Sequence, residues 1–183
     1  MAALRRAVVL LVVVAAVAAV GFAWWRSSRR EPPPPPPTRV DVVSPGVHSV
    51  QLWFGAPSGD SLTREPRDVV EAATLHERVG ELVQELERGP ERGAVRTLPA
   101  GTTLLHVYMD DRGLLTVDLS RAFQQNFRGG SGAEFLTIAS LVRTLASNLP
   151  DVKRVMVVCA GSPLASLGGH VPLDRPLDVS DWP

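Results

Sequence analysis

From Ala7 to Trp25 the chain runs for 19 residues without a charge, opening Ala-Val-Val-Leu-Leu-Val-Val-Val. As a helix rising 1.5 Å per residue, this segment spans about 28 Å, close to the hydrocarbon thickness of a bilayer. Arg5 and Arg6 precede it, and Trp24, Trp25, Arg26, Arg29 and Arg30 follow. Tryptophans closing an apolar helix suit the headgroup region. Nothing in the run alternates polar with apolar residues, so it is no amphipathic core helix. Ala16-Val17-Ala18 also fits the A-x-A pattern of a cleaved signal peptide. Cleavage there would leave Val20, Phe22 and both tryptophans on the mature terminus, so an uncleaved signal anchor over 7–25 is the expectation.

Arginines flank both ends, so the charge rule for orientation is nearly tied. The short N-terminus places residues 1–6 in the cytoplasm and the remainder outside. Six consecutive prolines, Pro32 to Pro37, follow Glu31. Such a run adopts polyproline II at roughly 3.1 Å per residue, a stiff spacer of about 20 Å within a linker over 26–47.

The folded part is therefore expected over 48–180, long enough to bury a core without disulfides or metals. The formal charge is zero, but five of the arginines lie before Pro32, which leaves the rest mildly acidic. Such a domain has no electrostatic reason to bind nucleic acid, where phosphate neutralisation supplies most non-specific affinity. The single cysteine, Cys159, sits in an apolar run and reads as a small buried hydrophobe. Lysine occurs once against 18 arginines, a skew typical of a GC-rich bacterial coding sequence.

Val50, Leu52 and Phe54 alternate with Gln51 and Trp53, the pattern of a half-buried strand. A turn-rich loop is expected from Gly55 to about Arg67. Thr74 and Glu77 form a capping box for a helix carrying Leu75, Val79, Leu82, Val83 and Leu86, stopped at Gly89-Pro90. Its charged face is most simply solvated. An apolar stretch from Thr103 to Met109 and a strand from Leu114 to Leu119 flank the turn Asp110-Asp111-Arg112-Gly113. Asp118 or Ser120 is expected to cap a helical turn at Arg121-Ala122-Phe123. Ser131 and Glu134 suggest a second capping box, for a helix burying Phe135, Ile138, Leu141, Val142 and Leu145. Val155 to Cys159 is a continuous apolar run, as in a central strand. The order β-α-β-β-α-β predicts an α+β fold, a two-layer sandwich of a roughly four-stranded sheet with two helices on one face.

Chemistry is sparse. His48, His76, His106 and His170 lie in separate segments at no metal-ligand spacing, and no phosphate-binding glycine motif is present. Gly129-Gly130-Ser131-Gly132-Ala133 departs from a nucleophile elbow at its last position, and no strand leads into it. Ser131 reads instead as a helix cap. Arg128, Gly129, Gly130 and Ser131 at a helix N-terminus are the weak candidates for holding an anion. His170, in Leu167-Gly168-Gly169-His170, is the remaining binding candidate. Asp110 and Asp111 are ordinary turn residues. No catalytic residue, metal or cofactor is assigned.

The run from Leu52 to about Ser180 resembles the GerMN domain family of sporulation and germination proteins. Leu52-Trp53-Phe54, Leu86-Glu87-Arg88-Gly89-Pro90, Leu98-Pro99-Ala100-Gly101-Thr102 and Val117-Asp118-Leu119-Ser120 carry the first half of that likeness. Gly130-Ser131-Gly132-Ala133-Glu134, Pro150-Asp151-Val152, Leu167-Gly168-Gly169-His170 and Pro176-Leu177 carry the second. The resemblance implies an extracytoplasmic α+β domain akin to the ring-building modules of secretion and sporulation complexes. No catalytic activity is established for the family, so it implies no active-site residues. This chain departs from the family's namesake in carrying one such domain and no lipobox cysteine near its N-terminus. The expectation is a non-catalytic envelope module, tethered to the membrane by its N-terminal helix, that assembles with itself or with envelope proteins. A peptidoglycan-binding module is the alternative, and an envelope enzyme the third reading.

Overall fold

A computed structural model describes residues 2–28 and 46–182; the proline run 32–37 lies outside the described residues. The chain divides into two units, 1–43 and 44–183. In the first, helix α1 (Ala2–Ser28) contains the apolar span Val8–Ser28, none of which is buried. At 21 residues this span is about 31 Å long, enough to cross a bilayer.

The second unit begins with a hairpin, β1 (Val47–Gly55) and β2 (Leu62–Val70), paired from Val47↔Val70 to Gly55↔Leu62. The loop expected through Arg67 is therefore only a turn, and its second half is a strand. Helix α2 (Leu75–Arg88) follows, with the Thr74/Glu77 capping box formed and Gly89 at its end. Next come β3 (Leu104–Met109), β4 (Leu114–Leu119), the short α3 (Ala122–Gln125) and α4 (Ser131–Asn148). Strands β5 (Arg154–Cys159), β6 (Ser162–Pro163) and β7 (Leu177–Asp178) complete the unit before a 3₁₀ turn at Val179–Asp181. The α+β class holds, but the roughly four strands become seven among the described residues, split between the hairpin and a five-stranded sheet.

In the larger sheet, β3 is an edge and pairs antiparallel with β4. Strand β4 runs parallel to β5, with α4 as the crossover that parallel neighbours require. Strands β6 and β7 both pair antiparallel with β5, which is central as its apolar run predicts. The β3–β4 turn closes on Asp110, whose carboxylate accepts N–H bonds from Arg112 (2.9 Å) and Leu114 (2.8 Å). Gly113 sits at φ 80°, and a Cβ there would lie 2.6 Å from the Asp151 carbonyl, so only glycine fits.

The period of two puts Leu115, Val117 and Leu119 of β4, and Val155, Val157 and Cys159 of β5, on one buried face. Helix α2 contributes Val79, Leu82, Val83 and Leu86, and α4 contributes Ile138, Leu141, Val142 and Leu145. Each such side chain is worth about 1.5–3 kcal/mol in burial. Neither Asp118 nor Ser120 caps α3 with its side chain. Asp118 accepts the Gly161 N–H instead, at 3.0 Å, and the Ser120 hydroxyl joins the Gly101 carbonyl to the Thr103 N–H.

Among the described residues the free edge of β1 meets no third strand; side chains of α4 take that place. Asn148 accepts from the Gln51 N–H (2.9 Å) and donates to the Gln51 carbonyl (2.8 Å). Thr144 Oγ1 accepts from the Trp53 N–H at 3.0 Å, and Ser140 donates to the Trp53 carbonyl at 2.5 Å. Positions 140, 144 and 148 recur every four residues and so share one helical face. Two residues further along β1, Gly55 and Val95 exchange both backbone bonds. The hairpin is thus fastened to the helix by polar groups that would otherwise be buried without partners.

Strand β2 brings Arg67 inward, with its side chain 6% exposed. Its guanidinium donates to Glu85 at 2.8 Å, to Glu65, and to the Gly89 carbonyl at 3.1 Å. It also lies 5.8 Å from the Phe54 ring centroid. Burial alone would favour the neutral form, but the Glu85 and Glu65 carboxylates hold the guanidinium charged.

Candidate functional site

The four residues before and at the start of α4 form a tight entry. Gly130 is the N-cap and supplies no side chain, so Ser131 is the first residue of the helix rather than its cap. The expected Ser131/Glu134 capping box does not form. Gly129 has φ 157°, and a Cβ there would lie 2.5 Å from that of Ala133, so a side chain cannot enter. Arg128 is exposed and folds back on its own loop, Nη1 donating to the Gln125 and Phe127 carbonyls, each at 2.7 Å.

Glu134 points the other way. Its side chain is fully buried and accepts N–H bonds from Leu167 and His170, both at 2.9 Å. The His170 ring contributes Nδ1 at 3.0 Å. An ionised carboxylate only accepts, so Nδ1 carries the proton facing it. Burial pushes the Glu134 carboxyl up, but N–H groups of Gly168, His170 and Val171 and the imidazole outweigh it and hold it below its ordinary value. Gly168 makes this contact possible: a Cβ there would come within 3.1 Å of both Glu134 and Phe127. The loop around Leu167–His170 is therefore clasped to the first turns of α4.

The five sequence candidates thus gather at the N-terminal end of one helix. Arg128, Gly129, Gly130 and Ser131 form its entry, and His170 reaches it through Glu134. Sequence reasoning missed Glu134, the group that organises the clasp, because an acid early in a helix is already accounted for by capping. The other three histidines lie elsewhere: His48 on β1, His76 on α2 and His106 on β3. Among the described residues, no three His, Cys, Asp or Glu side chains cluster as metal ligands. Burial raises the Cys159 thiol, which keeps it protonated and unreactive.

Beside the entry lies a cleft of about 380 Å³. The β1–β2 turn, the segment 95–99, the 126–128 loop and the first turns of α4 enclose it. Arg128 lines it and His170 does not. Two aromatic contacts lie along α4: Phe135 stacks on Trp182 at 5.2 Å between centroids, and the Arg143 guanidinium sits 4.7 Å from the Trp53 centroid.

Comparison with solved structures returned three relevant likenesses. The tandem GerMN domains of the sporulation protein GerM from Bacillus subtilis align with TM-score 0.62 at 19% identity, covering 74% of this chain and 48% of that one. The chain therefore spans about half the length of that two-domain protein. The first GerMN domain alone aligns with TM-score 0.55 at 19% identity, covering 72% and 97%. A putative lipoprotein from Clostridium perfringens aligns with TM-score 0.53 at 19% identity, covering 74% and 90%. At such identity these likenesses establish the fold. A search of curated proteins returned no match. The family model Germane, described as sporulation and spore germination, matches residues 51–165, from the middle of β1 to the loop beyond β6. That match takes in the hairpin, both long helices and the central strands, and with it this chain belongs to the Germane, or GerMN, sporulation and spore germination family.

Proposed function

We propose that the chain is a single-pass protein whose GerMN domain stands outside the cell membrane and acts as a non-catalytic assembly module of the envelope. The observation that carries this reading is the open edge of the larger sheet. Among the described residues no strand pairs with the outer side of β3, and Leu105, at a register shift, and Tyr108 on it are 38% and 67% exposed. An unpaired edge with apolar side chains is a template for strand addition. Its partner is a second copy or another envelope protein held at the same membrane.

The test is a photo-crosslinking amino acid at Tyr108 of the full chain in its native membrane, with a topology reporter fused after Trp182. The expected result is a dimer or heterologous adduct and an extracytoplasmic signal. Monomer alone overturns the assembly reading, and a cytoplasmic signal overturns the location.

The exposed Tyr108 ring also favours a second reading, a glycan-binding surface, since aromatic faces stack on sugars. The full chain in detergent micelles would then co-sediment with peptidoglycan, and Tyr108→Ala would abolish it.

A further inference from the structure

We infer that the strand added to β3 is a cationic, extended segment of another envelope protein, whose lysine or arginine side chains reach an acidic hollow on α2. The inference rests on the assembly reading and names the chemistry of the partner. One half of the surface is β3 itself, which carries no carboxylate, lysine or arginine. The pairs Val107↔Val117 and Met109↔Leu115 put Val107 and Met109 on the core side of the sheet, half-buried at its rim. By the period of two, His106 and Tyr108 face the other way, and both are exposed.

The other half is an open hollow of about 550 Å³ between the end of β2 and the outer face of α2. Glu71, Glu77 and Glu81 line it together with His76, and no lysine or arginine does. Gly80 joins the two halves: it lines the hollow, and a Cβ on it would lie 3.9 Å from the Leu104 side chain of β3. Glu77 is committed to the start of α2, accepting from the Ala73 and Thr74 N–H groups. Among the described residues Glu71 and Glu81 form no ion pair, whereas Glu85 on the same helix holds both Arg67 and Arg88. An incoming strand alternates its side chains across the sheet. Those on the core side lie over Val107 and Met109 and continue towards α2. A lysine or arginine suits that path, with its apolar stem on the rim and its charged head in the hollow. Those on the other side meet Tyr108 and suit β-branched or aromatic residues. A second copy fits worse, because pairing β3 with β3 sets two acidic hollows beside one seam in a domain already acidic.

The test is an amide NMR titration of the full chain in detergent micelles with the peptide acetyl-Thr-Val-Arg-Val-Arg-Val-Thr-amide. Its controls are the same peptide with glutamate for both arginines, and its fully N-methylated form, which keeps the charge and cannot donate to a strand ladder. The arginine peptide is expected to shift Val107, Met109 and Gly80, and to bind at least about fivefold more tightly than the glutamate peptide. The N-methylated peptide is expected not to bind. Glu81→Lys is expected to weaken the arginine peptide roughly fivefold at an unchanged melting temperature, which separates a lost contact from misfolding. Equal binding of the glutamate or the N-methylated peptide, or no shift on β3 up to about 5 mM arginine peptide, overturns the inference. Crosslinking at Tyr108 that recovers only a second copy also overturns it and leaves the assembly reading standing, whereas monomer alone removes both.

Discussion

Replacing Glu134 with glutamine tests the clasp most directly. The carboxylate is fully buried and receives the Leu167 N–H on one oxygen and the His170 N–H and Nδ1 on the other. Glutamine keeps one acceptor and turns an amide NH₂ towards donors on the opposite side. At least one buried N–H then loses its partner, at about 1–3 kcal/mol, and the remaining bonds lose their charge assistance. The sum is about 3 kcal/mol, a large part of a typical 5–15 kcal/mol stability. For a domain of this size that corresponds to a fall of roughly 10 °C in melting temperature. Circular-dichroism melts of the full chain in micelles measure it, and hydrogen exchange should show the loss of protection concentrated at Leu167–Val171. The pH dependence has a definite sign. The folded-state pKa of Glu134 lies below its ordinary value of 4.5, so the carboxylate stabilises the fold fully above that value. As pH falls through the depressed pKa, the wild type loses this contribution and the gap to Glu134→Gln narrows. A gap under 1 kcal/mol at pH 7, or one that stays constant from pH 7 to pH 3, would refute the reasoning.

Four further outcomes follow from the same geometry. Asn148→Ala strips both bonds from Gln51 and should cost about 1–3 kcal/mol in urea unfolding, with Thr144→Val, which strands the Trp53 N–H, in the same range. Arg67→Ala leaves the half-buried Glu65 without its cation and Glu85 with only the exposed Arg88, and should cost about 3 kcal/mol; substituting all three with apolar residues should recover most of it, as thermal melts would show. Thr74→Ala should cost about 1 kcal/mol because its hydroxyl caps α2, whereas Ser131→Ala should change stability by less than about 0.5 kcal/mol because Ser131 caps nothing. Cys159 should react with a thiol reagent in the native state far more slowly than in urea, since burial raises its pKa.

What the sequence disclosed followed the strength of the local signal. Helix α2 was legible to within a residue because its apolar period, its Thr74/Glu77 box and Gly89-Pro90 agree. The β3–β4 hairpin was legible because Asp110 and Gly113 carry turn chemistry between apolar runs. Strand β2 was not, because Arg64-Glu65-Pro66-Arg67-Asp68 has a loop's composition. It is a strand because all nine of its residues pair with β1, and Arg67 ties it to Glu85 and to the Gly89 carbonyl at the end of α2, 18 and 22 residues away. The start of α4 was misread for a related reason. Ser131 and Glu134 satisfy a local rule for a cap, while the winning interaction joins Glu134 to a loop 33–36 residues further on. Of the candidate site, the sequence located the right end of the right helix and missed the carboxylate that holds it together.

The β1 and β3 edges explain how one small domain can be both closed and open. Strand β1 needs partners for Gln51 and Trp53, and α4 provides them from Ser140, Thr144 and Asn148. That arrangement spends a helical face on polar residues, and the helix can afford to do so because Ile138, Leu141, Val142 and Leu145 occupy its other side. The β1 edge of the hairpin is thereby removed as a site for strand addition. Among the described residues no side chains or strand cover the outer edge of β3 in this way; a register shift at Leu105 bends its first half, and neither lysine nor proline interrupts it. Natural sheets usually blunt an exposed edge with such residues. With β1 covered, Pro66 interrupting the β2 edge and only two residues in each of β6 and β7, strand addition is directed to β3. A lysine at Leu105 should then suppress crosslinking at Tyr108 while leaving the melting temperature within about 2 °C, since Leu105 is already 38% exposed. Unchanged crosslinking in Leu105→Lys would place the contact elsewhere on the domain.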